Sequence, residues 1–460
     1  MTSPGDDLHD LAHYALGTMS LGRLTGVSLG NHAIPDAFLL MHVGVGCKNK
    51  ATAHLLAHDW AEHGNVREAW TEVGDRDLIL GSSTRAAPYM RSWVSRMNPS
   101  ILLMVSVTFI DLAGEDLKDV VSRAAEDLPC PVALLPAPGF SGDMYAGYAT
   151  VLHAIAERID WTPDPARGDE VTLLGYLFDR YEADHQANLS HLKKLLGGLG
   201  LTLGPSPLTG RPLAETLEAG GAGTIVELPY MRPLQKRIRR ALGDRESVAT
   251  DLPMGISGTS RWLREVGSAA GVDAERMQAF IARREESTRG QLRFLMDRWR
   301  GLRMAIFAEP PLAACLASML AALGLAPCLI GLKGTSLVGR EAFERVLEAD
   351  GVRLSEDVTV LENPSLAEMR SEFVGRMQAH ALDGVLGSAT DLNVLTTIDA
   401  DEVGRTGTTG PLLFEIGFPC RDHHAIQPMP FLGYSGVVVQ AQRITSARRL
   451  WDTGRDALLP

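Results

Sequence analysis

The sequence predicts an α/β protein made of three Rossmann-like domains, each with a mainly parallel sheet flanked by helices. Short apolar runs recur along the chain, helix-length amphipathic segments separate them, and Gly- and Pro-rich breakers fall between groups of these units. Parallel strands need a crossover of about helix length, so strands that alternate with helices imply parallel sheets covered on both faces. At 460 residues the chain is too long for one hydrophobic core and should divide into about three domains.

The first apolar run, at 38–47, ends in the Gly-x-Gly turn of Gly44 and Gly46, which puts Cys47 just ahead of a helix-like segment. Buried strands are then expected at 101–107, 131–135, 224–228, 303–308, 327–332, 383–387 and 411–416. Helices are expected at 116–127, 149–158, 185–199 and 311–323, with breakers at 161–165 and 204–212. Domain limits follow at 1–165, 166–290 and 291–460. In open sheets of this kind sites lie beyond the carboxyl ends of the strands, where Cys47, Thr108, Pro138 to Gly142 and Cys420 are expected.

Composition narrows the class. A hydrophobic fraction of 45% with 22% charged residues suits a globular protein. No run of about eighteen apolar residues occurs, so no membrane span is expected. The first twenty residues carry Asp6, Asp7 and Asp10 without a basic stretch, which argues for a cytoplasmic protein without a signal peptide. A net charge of −12 disfavours nucleic acid, whose phosphates must be neutralised by Lys and Arg. The basic segment from Arg232 to Arg240 reads as a solvated helix face, and so do the acidic pairs Asp6-Asp7 and Glu285-Glu286.

Five cysteines, widely spaced and without Cys-x-x-Cys, make neither a disulfide framework nor a self-contained zinc site. Cys130, Cys315 and Cys328 sit in apolar segments and read as structural. Cys47 reads two ways from its own segment: as a small buried apolar residue, or as a thiol at a helix start that can bind a soft metal. His54, His58 and His63 have the i, i+4 spacing of a metal-binding helix face but lack the glutamate of His-Glu-x-x-His. Trp60, Trp70 and Trp93 are spaced like core residues.

A second stretch decides between the readings of Cys47. Residues 411–426, Pro-Leu-Leu-Phe-Glu-Ile-Gly-Phe-Pro-Cys-Arg-Asp-His-His-Ala-Ile, are followed by Gly433-Tyr-Ser-Gly436. Upstream lie Leu80-Gly-Ser-Ser83, Leu112-Ala-Gly-Glu-Asp-Leu117, Pro138-Gly-Phe-Ser-Gly142 and Arg303-Met-Ala-Ile-Phe-Ala-Glu-Pro-Pro311. In this order the motifs resemble those of the nitrogenase component 1 family, and of its β-type chains in particular. The resemblance covers most of the chain and is weakest between about 170 and 290.

The resemblance implies a heterotetramer (α2β2) with an α-type subunit, an iron–sulfur cluster at their interface, and a separate ATP-dependent iron protein that delivers electrons. It makes Cys47 the middle one of three family cysteines, with the first falling near Gly22 and the third near Thr108. With two thiolates missing, it implies a [4Fe–4S] cluster completed by three cysteines of the partner chain. Gly44, Gly46 and Thr108 then shape the pocket around Cys47, and no catalytic acid or base is assigned. ATP belongs to the iron protein, since this chain has no Gly-x-x-x-x-Gly-Lys-[Ser/Thr] loop. For His423 and His424 a ligand or general-base role is open by composition, and the resemblance favours a structural one, in which they help shape the subunit contact around the C-terminal turn. The expected activity is that of a nitrogenase-like reductase subunit. Its rivals are a scaffold for metallocluster assembly and a clusterless metabolite-binding protein on the same fold.

Overall fold

The computed structural model describes residues 21–44, 47, 67–106, 117–136, 142–334, 336–337, 339–403 and 410–456. They form two compact units, one from residues 21–181 with 201–249, the other from residues 182–200 with the chain from 250 onward.

The first unit holds two sheets. One has the order β2-β1-β3-β4, from β1 (Ala37–His42), β2 (Glu68–Trp70), β3 (Ile101–Ser106) and β4 (Val132–Leu135). The other has the order β6-β5-β7-β8, from β5 (Glu170–Leu174), β6 (Thr202–Leu203), β7 (Thr224–Glu227) and β8 (Val248–Ala249). Every residue of β1 and β3 is buried, which is why AFLLMH and ILLMVS read as continuous apolar runs. Phe38, Leu40, Leu102 and Met104 face Met90 and Val94 of the helix Ala86–Met97 and Val121 of the helix Leu117–Ala125. By the period of two, Leu39, Met41, Leu103 and Val105 point to the opposite face.

The helices Arg23–His32 and Met144–Ala156 pack closely against each other and are buried over most of their length. The approach requires glycine on both sides. A Cβ on Gly26 would lie 1.7 Å from the carbonyl oxygen of Met144, and one on Gly147 would lie 1.9 Å from that of Arg23.

The second unit is built on one sheet of order β11-β10-β9-β12-β13. Its strands are β9 (Arg303–Ala308), β10 (Ala326–Leu332), β11 (Thr359–Glu362), β12 (Gly384–Gly387) and β13 (Leu412–Glu415). Ala305, Phe307, Leu329 and Val385 pack on Met369 and Phe373 of the helix Leu366–Gln378, with the rings of Phe307 and Phe373 5.2 Å apart. The helix Pro310–Ala322 starts with two prolines, whose missing N–H groups cost nothing at a helix start, and is buried from Pro310 to Leu320. The helices Ala183–Leu199, Gly255–Ala269, Ala274–Trp299 and Gly433–Asp456 complete this unit.

Every pairing between these strands is parallel. The expected doubly covered parallel sheets are therefore the observed architecture. Cys315 lies in the helix Pro310–Ala322 and Cys328 in β10, as their apolar surroundings suggest. Trp93 packs on the core and stacks on Phe38 at 5.4 Å. In the basic segment, Ile238 is buried while Lys236, Arg237, Arg239 and Arg240 are exposed. Arg239 is tied to the buried Glu227 by two hydrogen bonds of 2.6 and 2.8 Å.

Candidate functional site

Parallel pairing brings the carboxyl ends of the first sheet's strands to one edge. The helix Arg23–His32 is joined to the start of β1 by the short connection 33–36. The helix Met144–Ala156 begins shortly after the end of β4. Backbone pairing between Gly22 and Asp143 ties the two helix starts together, and the Met144 N–H donates to the carbonyl of Leu21 at 3.1 Å. Asp143 caps its own helix by accepting the Ala146 N–H at 3.1 Å. Arg23 stands beside this junction, where a Cβ on Gly142 would meet its Nη2 at 3.0 Å. Burial pulls the Arg23 guanidinium below the usual arginine range, while the Asp143 carboxylate acts the other way.

β1 ends in His42, which is fully buried. Its Nδ1 is 2.8 Å from the Thr71 hydroxyl just past β2, and its Nε2 is 2.9 Å from the Ser82 hydroxyl. This clamp fixes where the chain leaves the sheet on its way to Gly44 and Cys47. Neither Thr71 nor Ser82 was legible as a partner of His42, because the three residues come from separate segments. The one signal was a polar ring closing an otherwise apolar strand.

Gly44 is half-buried beyond β1. Cys47 has helical backbone and is the only one of the five thiols that is not buried. Gly46 and Thr108 lie outside the described residues, as do His54, His58, His63, Trp60 and the segments 112–116 and 138–141.

The other four thiols are engaged in packing. Cys130 is part of the apolar cluster under the first sheet, and burial raises its pKa. Cys315 and Cys328 point at the carbonyl oxygens of Leu252 and Ala381, at 3.8 and 3.7 Å, and burial raises the pKa of Cys328. The Sγ of Cys420 is 3.0 Å from Oε2 of Glu415 and 3.0 Å from the carbonyl of His423. Glu415, at the end of β13, also accepts the backbone N–H groups of Arg421, Asp422 and His423 at 2.6 to 2.9 Å. One buried carboxylate thus organises the turn after β13. His424 bonds through Nδ1 to Glu182 at 2.7 Å, and the other oxygen of Glu182 accepts the Ala425 N–H at 2.7 Å.

At the ends of β10 and β12 the Lys333 ammonium pairs with Asp391, which also accepts from the Ser388 hydroxyl at 2.7 Å. All three side chains are buried, so the charges are matched inside the protein. Sequence reading missed this cluster, since a lone Lys at a strand end carries no pattern.

A cubane iron–sulfur cluster needs four thiolate ligands. Among the described residues no group of three or more His, Cys, Asp or Glu side chains converges as a metal site. Of the five thiols only that of Cys47 is not buried. The donor set therefore fits one ligand of a shared cluster and does not fit a cluster held by this chain alone.

Parallel sheets covered on both faces, with one thiol that is not buried beyond the first strand, define a Rossmann-like α/β protein. The family model of the nitrogenase component 1 type oxidoreductases matches residues 23–448, and the chain belongs to that family. It is 24% identical to the nitrogenase molybdenum-iron protein beta chain of Frankia alni, over 86% of this chain and 75% of that one. It is 22% identical to the nitrogenase iron-molybdenum cofactor biosynthesis protein NifE of Rhizobium meliloti, over 94% of this chain and 86% of the relative. The solved structure of nitrogenase Cp1 at pH 6.5 shares its fold, with a TM-score of 0.73 at 15% identity over 94% of this chain and 92% of the other. Among the described residues no helix is long and apolar enough to cross a membrane.

Proposed function

We propose that the chain is a β-type subunit of a nitrogenase-like two-component reductase and contributes one ligand, Cys47, to a [4Fe–4S] cluster shared with an α-type subunit in an α2β2 heterotetramer. The observation that carries this reading is the accessibility of Cys47 alone among five thiols, beyond the carboxyl end of β1. Such a cluster, when bound, supplies one-electron transfer. Gly44 and Gly46 let the backbone approach closely, Thr108 is assigned to the pocket wall, and the His42 clamp fixes the strand end that carries the thiol. Electrons reach the complex from an ATP-dependent iron protein. Five reduced cysteines suit the cytoplasm.

The likeness to a cofactor biosynthesis protein supports a second reading, in which the same subunit belongs to a scaffold for metallocluster assembly. Turnover separates the two. The complex, co-expressed with its α-type partner and mixed anaerobically with an iron protein, ATP and reductant, is expected to be reduced only when ATP is present. On the reductase reading it also releases product from a reducible substrate. Cluster transfer to an acceptor without product formation selects the scaffold. Equal reduction of wild type and Cys47→Ala contradicts both.

A further inference from the structure

A cavity of about 610 Å³ lies in the second unit, lined by residues of the helices Ala183–Leu199, Ala274–Trp299 and Gly433–Asp456. Its volume is in the range of small-molecule sites. Lys194 and Arg284 line it, and no Asp or Glu does. The neighbouring carboxylate, Glu285, faces Arg264 and Arg289 at 4.0 and 3.7 Å and accepts the Ser260 hydroxyl. Neither Lys194 nor Arg284 forms an ion pair among the described residues.

Arg284 is held from one side only. Its guanidinium lies 5.9 Å from the centre of the Tyr434 ring, and its Nε is buried without a hydrogen-bond acceptor. A buried charged donor without an acceptor costs more than a made bond returns, so such groups call for an explanation. The Tyr434 ring is itself fixed, since its hydroxyl is 2.8 Å from that of Ser260. His191 does not supply the missing negative charge. Its Nε2 accepts the Ser435 N–H at 3.2 Å, which requires the neutral ring. The cavity thus presents two positive charges together with the hydroxyl of Ser190 and the amide of Gln291.

We propose that this cavity binds a small molecule bearing an oxyanion, phosphate or carboxylate, with Arg284 and Lys194 as its charged contacts. A planar guanidinium suits either group because both offer two oxygens at matching spacing. The site uses residues of one unit and is independent of the cluster assigned to Cys47.

The test is calorimetric titration of the intact complex, at neutral pH and low salt, with inorganic pyrophosphate in one arm and succinate in the other. Saturable binding is expected in at least one arm, and which arm responds distinguishes a phosphoryl from a carboxylate ligand. Arg284→Gln and Lys194→Gln are each expected to weaken it about tenfold or more, the scale of a lost charge-assisted contact. Arg289→Gln, on the same helix and outside the cavity lining, should leave it unchanged. No saturable binding of either probe overturns the proposal. So does an affinity within about twofold of wild type in both cavity variants, each checked for native circular dichroism.

Discussion

Gly26 and Gly147 lie on the facing sides of one helix crossing, where a Cβ on either would overlap the other helix's backbone, at the carbonyls of Met144 and Arg23 respectively. The contact lies close to the starts of both helices, next to the Gly22–Asp143 bridge. A backbone oxygen cannot turn aside as a side chain can, so any larger residue must push the helices apart. Gly147→Ala is therefore expected to destabilise the first unit by about 2 kcal/mol or more, in the upper part of the overpacking range. Urea unfolding should show a lower midpoint with an unchanged slope.

The Cys420 thiol is a structural partner of Glu415. Cys420→Ala is expected to cost about 1–2 kcal/mol, from a lost hydrogen bond and a small void. It should leave the iron content of the complex unchanged. Loss of iron in this variant would make Cys420 a ligand and contradict the role drawn from its packing.

Thr71 and Ser82 hold His42 at the end of β1. Thr71→Val keeps the shape and removes the hydroxyl next to Nδ1, at an expected cost of about 1–3 kcal/mol for a buried polar atom that loses its partner. Thr71→Ser retains the hydroxyl and should recover most of that loss. Thermal denaturation of the pair provides the comparison.

His191 gives the fold an acid limit. Burial, then the neighbouring Arg284 and Lys194 charges, pull its pKa from 6.5 to about 4. As pH falls through 6.5 the unfolded chain takes up a proton that the folded chain refuses until about pH 4, so the unfolded state binds more protons across this window. Stability is full above 6.5 and is lost as pH drops toward 4. With allowance for solvent screening the contribution is roughly 1–2 kcal/mol. Urea midpoints measured from neutral to acid pH should fall less steeply in His191→Gln than in wild type.

The sheets were legible because parallel strands buried on both faces leave uninterrupted apolar runs. The expected strand at 303–308 coincides with β9, and the expected helices at 185–199 and 311–323 lie within about two residues of those observed. The two-residue strands β6 and β8 were not legible, since no period can be read from two positions. The helix Gly433–Asp456 was hidden by its opening Gly433, at φ 69°, and by the polar residues between its buried Val437, Ala441 and Ile444. Cys47 stands out in the sequence because chemistry and a turn signal share one short segment. The His42 clamp and the Arg284 cavity do not, because each joins residues from separate elements that only the fold brings together.

On the proposed function this chain supplies one cluster ligand, Cys47. The most direct test is iron and acid-labile sulfide in the anaerobically purified complex with its α-type partner, wild type against Cys47→Ala. About four irons and four sulfides per αβ pair are expected beyond any cluster held by the partner alone, and they should be lost in the variant. Unchanged iron and sulfide in Cys47→Ala would make the thiol structural and rule out its role as a ligand.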